Sequence, residues 1–506
     1  MPDVCVFHET DPQFYVHAGR SLSEEYIGIV SGSSITNETR IIPTADPKAN
    51  PRVVIPRQQG VEYSIDHRGD WFYVTIRDDK RFNSEVYATP VANPASTGIT
   101  VLAHQPSVKI EDLCVTDRHL VVFSRVDGLQ QATIYPISDG QPEDLRPKKK
   151  TKTTPIGHPI RFPDPAYEMT GAIVSGFKTD TVRLWYTSMT TPNTVLDVNL
   201  ATHRQVTRKV TPVLGGFDPN QYESKRIWAK ATDGTRIPLS LAYKKSLFQE
   251  DGSNPLLMDA YGAYEIPYDA CFNAKRLSLL DRGVVIAIGH VRGGGDMGRL
   301  WYEKGKFLHK KNTFTDLVAC AEKLVADRIT SPDRLCISGR SAGGLTMGAT
   351  LNLRPDLFHA VILGVPFVDV LTTMMDETIP LTSIEWEEWG NPLEDAAYYE
   401  YMKSYSPVDN VRELPSGEHY PHMLMLAGLH DPRVGYWEPA KFCAKLRSVG
   451  AGTGGKLLCL KTDMGAGHFS KTGRFDALKE VAVEYAFLLK VLGSKIKASE
   501  PYKTQG

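Results

Sequence analysis

From residue 256 onward the chain alternates between two patterns. Short, uninterrupted apolar runs come first: "NPLLMDAYG", "GVVIAIGHV", "RLCISG", "HAVILGVP", "HMLMLAGL" and "KLLCLKT". Between them lie stretches whose apolar residues recur at three and four positions, such as "NTFTDLVACAEKLVADR" and "RFDALKEVAVEYAFLLKVL". A strand that is apolar on both faces must be covered on both faces. The alternation therefore predicts a parallel sheet between two layers of helices. In such sheets reactive groups gather beyond the carboxyl ends of the strands.

One strand end is distinctive. "RLCIS" passes into "GRSAGGL", and "LTMGATLNL" then reads as a helix that stops near Pro355. Strand must become helix within a few residues around Gly339, Ser341 and Gly343. This is the G-x-S-x-G arrangement that lifts a serine oxygen above a sheet. Small residues also fill ordinary tight turns, so the serine needs partners. "HMLMLAGL" ends in "HDPRV", which puts Asp431 just past the sheet edge. "KLLCLKT" leads into "DMGAGHFSKTGR", which puts His468 on a glycine-rich loop. The order Ser341, Asp431, His468, with spacings of 90 and 37 residues, is the hydrolase order. His468 would take the serine proton and return it to the leaving amine, and Asp431 would orient and stabilise the imidazole. The Ala342 amide is the expected oxyanion donor. Tyr261, in "MDAYGAYE", is a candidate phenol donor beside it, with a packed core tyrosine as the alternative. "RGGGDMG" contains G-x-G-x-x-G at Gly293, Gly295 and Gly298. No acidic residue closes a second strand about 20 residues later, as a dinucleotide site requires, so no cofactor is expected.

The first 210 residues or so follow a different grammar. Runs rich in Val, Ile, Tyr and Trp alternate with polar turns. A strand, a turn and a second strand repeat from Tyr26, Trp71, His119 and Val182, at spacings of 45, 48 and 63 residues. That period predicts propeller blades, with a β-sandwich as the alternative. "KRIWAKATDGTRIPLSLAYKK" reads as a hairpin turning on Asp233-Gly234 at the start of the second half. The expected architecture is a partial β-propeller of about four blades over residues 1–214, then an α/β-hydrolase domain over 215–506.

The 506-residue length fits two or three domains. The 58 basic and 59 acidic residues give a net charge of −1, so no global field recruits nucleic acid or an anionic membrane. The basic run "PKKKTKTT" from Pro147 has no interleaved aromatics and reads as a solvated loop. Seven widely separated cysteines suggest neither a disulfide framework nor a metal site. Free thiols, no basic-then-apolar N-terminal leader and no apolar stretch of about 20 residues lead to the expectation of a cytoplasmic protein.

Taken together, "YGAYE", "HVRGGGDMGRLWYEKG", "GRSAGGL", "RPDLFHAVI", "HDPRV" and "GAGH" resemble the prolyl oligopeptidase family of serine peptidases. "DETIPLT", "EWEEWGNP" and "YYEYMKSYSPVDNV" are similar to its oligopeptidase B branch. The resemblance is nearly continuous from about residue 220 and looser before it. It implies that Ser341, Asp431 and His468 form the triad, with Tyr261 and the Ala342 amide as the oxyanion hole. It implies that Arg433 holds a substrate carbonyl, and that short peptides are cleaved after Arg or Lys. Glu385 and Glu387 would receive the basic side chain, as a shielded cation requires. Asp269 stands where some relatives carry an Asp-x-Asp pair, but here its partner position is Cys271. The resemblance also implies a longer, seven-bladed propeller that excludes large substrates, so the chain reads either as N-terminally truncated or as a shortened natural variant. Two further readings stay open. One is a catalytically impaired family member that at most binds peptides or partners. The other is an esterase or lipase on the same hydrolase fold, which the propeller-like half and the acidic pocket disfavour.

Overall fold

The computed structural model describes residues 3–96, 98–137, 142, 157–469, 473 and 475–493. The basic run at 147–154 lies outside the described residues. Among the described residues, four four-stranded antiparallel sheets follow one another in the first part, over residues 15–53, 62–102, 108–159 and 167–210. Each of the four repeats begins in the second strand of a sheet: Tyr26–Gly32, Trp71–Arg77, His119–Val126 and Thr181–Ser188. Buried apolar side chains of the inner strands face the neighbouring sheets, whereas the outer strands Tyr15–Arg20 and Gln205–Val210 are almost wholly exposed. Ile41 and Val54 meet Phe72 and Val74; Tyr73 and Val86 meet Leu113 and Leu120; Val121 and Ile134 meet Val182 and Leu184. Each sheet therefore stacks on the next in sequence, as propeller blades do, and the sandwich alternative falls. Residues 3–14 lie against the first sheet. Glu9 pairs with Arg57 at 2.5 Å and accepts from Ser31, and Phe7 packs under Arg40.

The second part is built on one eight-stranded sheet. Its strands are β1 (Tyr222–Lys230), β2 (Arg236–Lys244), β3 (Leu256–Asp259), β4 (Val285–Gly289), β5 (Leu335–Arg340), β6 (Ala360–Gly364), β7 (His422–Gly428) and β8 (Leu458–Asp463). The spatial order is β1-β2-β4-β3-β5-β6-β7-β8. β1 pairs antiparallel with β2, and β2 with β4, while every later pairing is parallel. The hairpin turns at Gly234, whose φ of +87° only glycine adopts without strain. All residues of β4 and β6 are buried, which is why their sequences are continuously apolar.

Among the described residues, six helices of eight or more residues accompany the sheet: α1 (Lys311–Ala326), α2 (Ala342–Leu353), α3 (Thr382–Trp389), α4 (Ala396–Lys403), α5 (Trp437–Ser448) and α6 (Asp476–Leu492). One apolar core joins α1, α2 and α5 to one face of the sheet, and a second joins α6 to the other. Each fully buried Leu, Ile or Phe there contributes roughly 1.5–3 kcal/mol. α2 is buried along its whole length except Leu353, so it forms the axis of the domain.

Ion pairs join the two parts. Arg125, whose side chain is 1% exposed, reaches Glu111 at 2.8 Å and both oxygens of Asp269 at 2.7 and 3.1 Å. Glu265 meets Arg77 at 3.0 Å, Lys109 at 2.5 Å and Arg299 at 2.5 Å.

Candidate active site

β5 ends at Arg340 and α2 begins at Ala342, so Ser341 alone makes the turn. Its backbone sits at φ 55° and ψ −121°, a conformation that costs a side-chain-bearing residue on the order of 1–3 kcal/mol. Four backbone hydrogen bonds hold it there. The Ser341 amide donates to Gly364 at 2.9 Å, and the Ser341 carbonyl accepts from Gly344 at 2.8 Å, Phe367 at 3.1 Å and Leu345 at 3.2 Å. The flanking glycines are steric necessities. A Cβ at Gly339 would lie 2.4 Å from the Gly343 carbonyl oxygen, and one at Gly343 would lie 2.9 Å from that of Ala260. The Ala342 amide occupies the first position of α2, where no preceding turn offers an acceptor and the helix dipole favours an anion.

The loops after β7 and β8 bring the two distant partners together. Asp431 Oδ2 lies 2.7 Å from His468 Nδ1. Asp431 Oδ1 accepts from the amides of Arg433 at 2.8 Å and Val434 at 3.0 Å. Burial works against ionisation of Asp431, but His468 and these two amides outweigh it and hold its carboxyl below the ordinary range. The aspartate side chain is fully buried, and that of His468 is 8% exposed. Ser341 and His468 both line one cavity of about 790 Å³.

Tyr261 lines the same cavity from the loop after β3. Burial, reinforced by the negative charges of Glu385 and Glu388, pushes its phenol up to about 12, so it keeps its proton as a hydrogen-bond donor must. Glu385 enters the cavity from α3. Its Oε2 accepts from Tyr264 at 2.5 Å and from the Trp389 indole at 3.1 Å, so both donors fall on one oxygen. Burial raises the Glu385 pKa, and those donors together with Arg433 oppose the rise. Arg433 reaches the cavity with its guanidinium 5.3 Å from the Phe469 ring.

Two expected substrate contacts are placed elsewhere. Glu387 is half-buried but does not line the cavity. Two residues along a helix turn the side chain about 200° away, so Glu385 and Glu387 cannot share a face. The face of Glu385 is shared by Glu388, three residues on. Glu388 accepts from the Tyr264 amide at 3.0 Å and the Tyr302 hydroxyl at 2.5 Å. The i, i+3 spacing in "EWEEW" carried that signal once the segment was taken as helix. Asp269 likewise does not line the cavity. Arg125 from the third sheet of the first part occupies both of its carboxylate oxygens.

The glycines of "RGGGDMG" have a packing role. A Cβ at Gly293 would lie 2.2 Å from the Gly262 carbonyl oxygen, and one at Gly295 would lie 2.2 Å from that of Glu265. They let this loop lie against the backbone that carries Tyr261. The cysteines are free thiols. Among the described residues no cluster of His, Cys, Asp or Glu is arranged to hold a metal ion, and no helix is long and apolar enough to cross a membrane.

Comparison with known proteins agrees with this geometry. Residues 271–495 match the Prolyl oligopeptidase family, and residues 2–211 match the prolyl oligopeptidase N-terminal beta-propeller domain. Protease 2 of Moraxella lacunata is 37% identical over 97% of this chain and 67% of its own length. Dipeptidyl aminopeptidase BI of Pseudoxanthomonas mexicana is 38% identical over 97% of this chain and 65% of its own length. The chain thus spans about two thirds of the length of these relatives. Oligopeptidase B from Leishmania major superposes with a TM-score of 0.86 at 37% identity, covering 98% of this chain and 67% of that one. Oligopeptidase B from Trypanosoma brucei with covalently bound antipain gives 0.88 at 40% identity, covering 98% and 68%. A hydrolase sheet with a strained serine at its centre, an N-terminal propeller and these relatives agree: the chain belongs to the prolyl oligopeptidase family of serine peptidases.

Proposed function

We propose that this chain hydrolyses short peptides on the carboxyl side of Arg or Lys, with Ser341 as nucleophile, His468 as general base and acid, and Asp431 as its orienting carboxylate. The observation that carries the reading is the convergence of Ser341, His468, Tyr261 and Glu385 on one cavity, with His468 fixed by Asp431. His468 Nδ1 donates to the ionised Asp431, which leaves Nε2 as the acceptor for the serine proton. Ser341 Oγ attacks the scissile carbonyl. The oxyanion that forms is met by the Ala342 amide and the Tyr261 phenol. His468 then protonates the departing amine, and water releases the acyl group by the same steps in reverse. Glu385 supplies the charge for the basic side chain. In this reading Arg433 holds a substrate carbonyl at the cavity wall. The same reading puts the domain boundary between residues 214 and 215 and takes short basic peptides as substrates.

The test is a comparison of wild type with Ser341→Ala. A fluorophosphonate probe should label wild type at Ser341 and leave the variant unlabelled. Turnover of Arg and Lys peptides should fall by several orders of magnitude. Peptide turnover by Ser341→Ala near the wild-type level would end the reading. Labelling of wild type without any peptide turnover would favour the impaired family member, and preference for simple esters over peptides would favour the esterase.

A further inference from the structure

The 261–265 loop carries the Tyr261 phenol on a costly backbone. Tyr264 and Glu265 hold φ at 60° and 57°, where side-chain-bearing residues persist only if their surroundings over-determine them. Two buried ionic side chains that take no part in the proposed chemistry grip this loop from different elements. Lys310, immediately before α1, is fully buried, and its ammonium donates to the Gly262 carbonyl. The same ammonium lies 5.0 Å over the Trp389 ring, whose indole donates to Glu385. Glu388, on α3 and 4% exposed, accepts the Tyr264 amide at 3.0 Å. Thr346 on α2 adds a hydroxyl donor to the Tyr261 carbonyl at 2.7 Å. The loop is therefore held one residue before Ala263 by a cation and one residue after it by an anion.

Such an arrangement is expensive. Burial lowers the Lys310 pKa to about 8 and raises that of Glu388, so neither charge is at ease. A neutral side chain of similar volume would fill either site at lower cost. A charge-assisted bond is about twice as strong as a neutral one, and that strength resists displacement of a strained loop. We propose that Lys310 and Glu388 are positioning residues: by clamping the backbone at Gly262 and Tyr264 they hold the Tyr261 phenol within hydrogen-bond reach of the developing oxyanion. This rests on the reading of Tyr261 as an oxyanion donor.

The experiment is a mutant cycle with Tyr261→Phe, Lys310→Met and the double variant, read by kcat and KM on an Arg peptide and by the rate of fluorophosphonate labelling. Loss of one oxyanion donor typically costs about 100- to 1,000-fold in kcat. Lys310→Met should lower kcat about 10- to 100-fold with KM changed little, because a misplacement of about 1 Å costs on that order. In the Tyr261→Phe background the same substitution should cost less than about threefold, since residues that act through one group are non-additive. Glu388→Leu should behave like Lys310→Met. Glu388→Gln should recover most of the turnover, because its amide oxygen still accepts from Tyr264. If Lys310→Met does not fold by circular dichroism, the Glu388→Leu and Glu388→Gln pair in both backgrounds carries the test. Equal losses with and without the Tyr261 hydroxyl, or unchanged kcat in the folded clamp variants, would overturn the proposal while leaving the oxyanion reading in place. Full activity of Tyr261→Phe would overturn both.

Discussion

The side chain of Glu385 shows how much one residue can decide. It sits in the cavity that Ser341 and His468 line, with one carboxylate oxygen engaged by Tyr264 and Trp389. Neutralising it with Gln preserves volume. If it binds the substrate cation, kcat/KM for Arg and Lys peptides should fall by roughly 30-fold or more, since an uncompensated buried charge costs on the order of 2–5 kcal/mol. A matched norleucine peptide should be affected far less. Glu387→Gln, on the other side of α3, should change all three by less than about 1 kcal/mol, in the manner of a surface charge. An equal fall on the three peptides with Glu385→Gln would give that residue a structural role instead. The proposed catalytic residues could be picked out because each lies just past an apolar strand, where the chain order itself is informative. The partners of Asp269 and Tyr264 were not. Arg125 is 144 residues from Asp269, and Glu388 is 124 from Tyr264, so only the folded chain brings them together.

At the scale of elements, the turn between β5 and α2 concentrates the strain. Its three requirements are a serine at positive φ, no Cβ at Gly339 and no Cβ at Gly343. Alanine at 341 keeps the unfavourable φ, whereas glycine relieves it. Ser341→Gly should therefore unfold at higher temperature than Ser341→Ala by the equivalent of about 1 kcal/mol, as measured by calorimetry on the two variants. Identical melting would mean that the surrounding bonds, not the residue, set the cost. The six apolar strands and the helices α1, α2 and α6 followed directly from apolar run and period. α3 was harder to read: in "TSIEWEEW" charged and aromatic residues surround the helix, and its apolar face is shared with two glutamates. The glycines of "RGGGDMG" imitate a phosphate loop because close backbone approach makes the same demand whether the neighbour is a phosphate or the chain itself.

At the scale of the whole molecule, the junction combines apolar contacts, in which Ala166 and Met189 join the core around Leu257 and Ile286, with ion pairs that have a definite pH signature. Burial alone would raise the Glu265 pKa, yet Lys109, Arg77 and Arg299 outweigh it and hold the carboxyl at about 2. A depressed carboxylate contributes stability that is fully present above its unfolded value of about 4.5 and is lost as pH falls toward 2. Glu265→Gln should therefore melt well below wild type at pH 7, and the gap should narrow as pH falls from about 4.5 toward 2. A gap that is constant with pH would show that the three cations do not depend on the Glu265 charge. Stacking of the four sheets was visible in their repeat, but this pairing between the two parts was not. It joins residues separated by 188 and 156 positions.

The pairing of Arg125 with Asp269 has a bearing on how the molecule could be taken apart. Each half supplies the counter-ion for a charge that the other half has removed from water. A stand-alone hydrolase portion would carry Asp269 without its partner on a newly opened face, beside Glu265 with Arg299 the one cation of its three left to it. A detached propeller portion would expose Arg125, Arg77 and Lys109, with Glu111 still beside Arg125 and Glu62 still beside Arg77. Anyone wishing to produce either portion alone would first have to rewrite that face, beginning with Asp269→Asn and Glu265→Gln on one side and Arg125→Gln on the other.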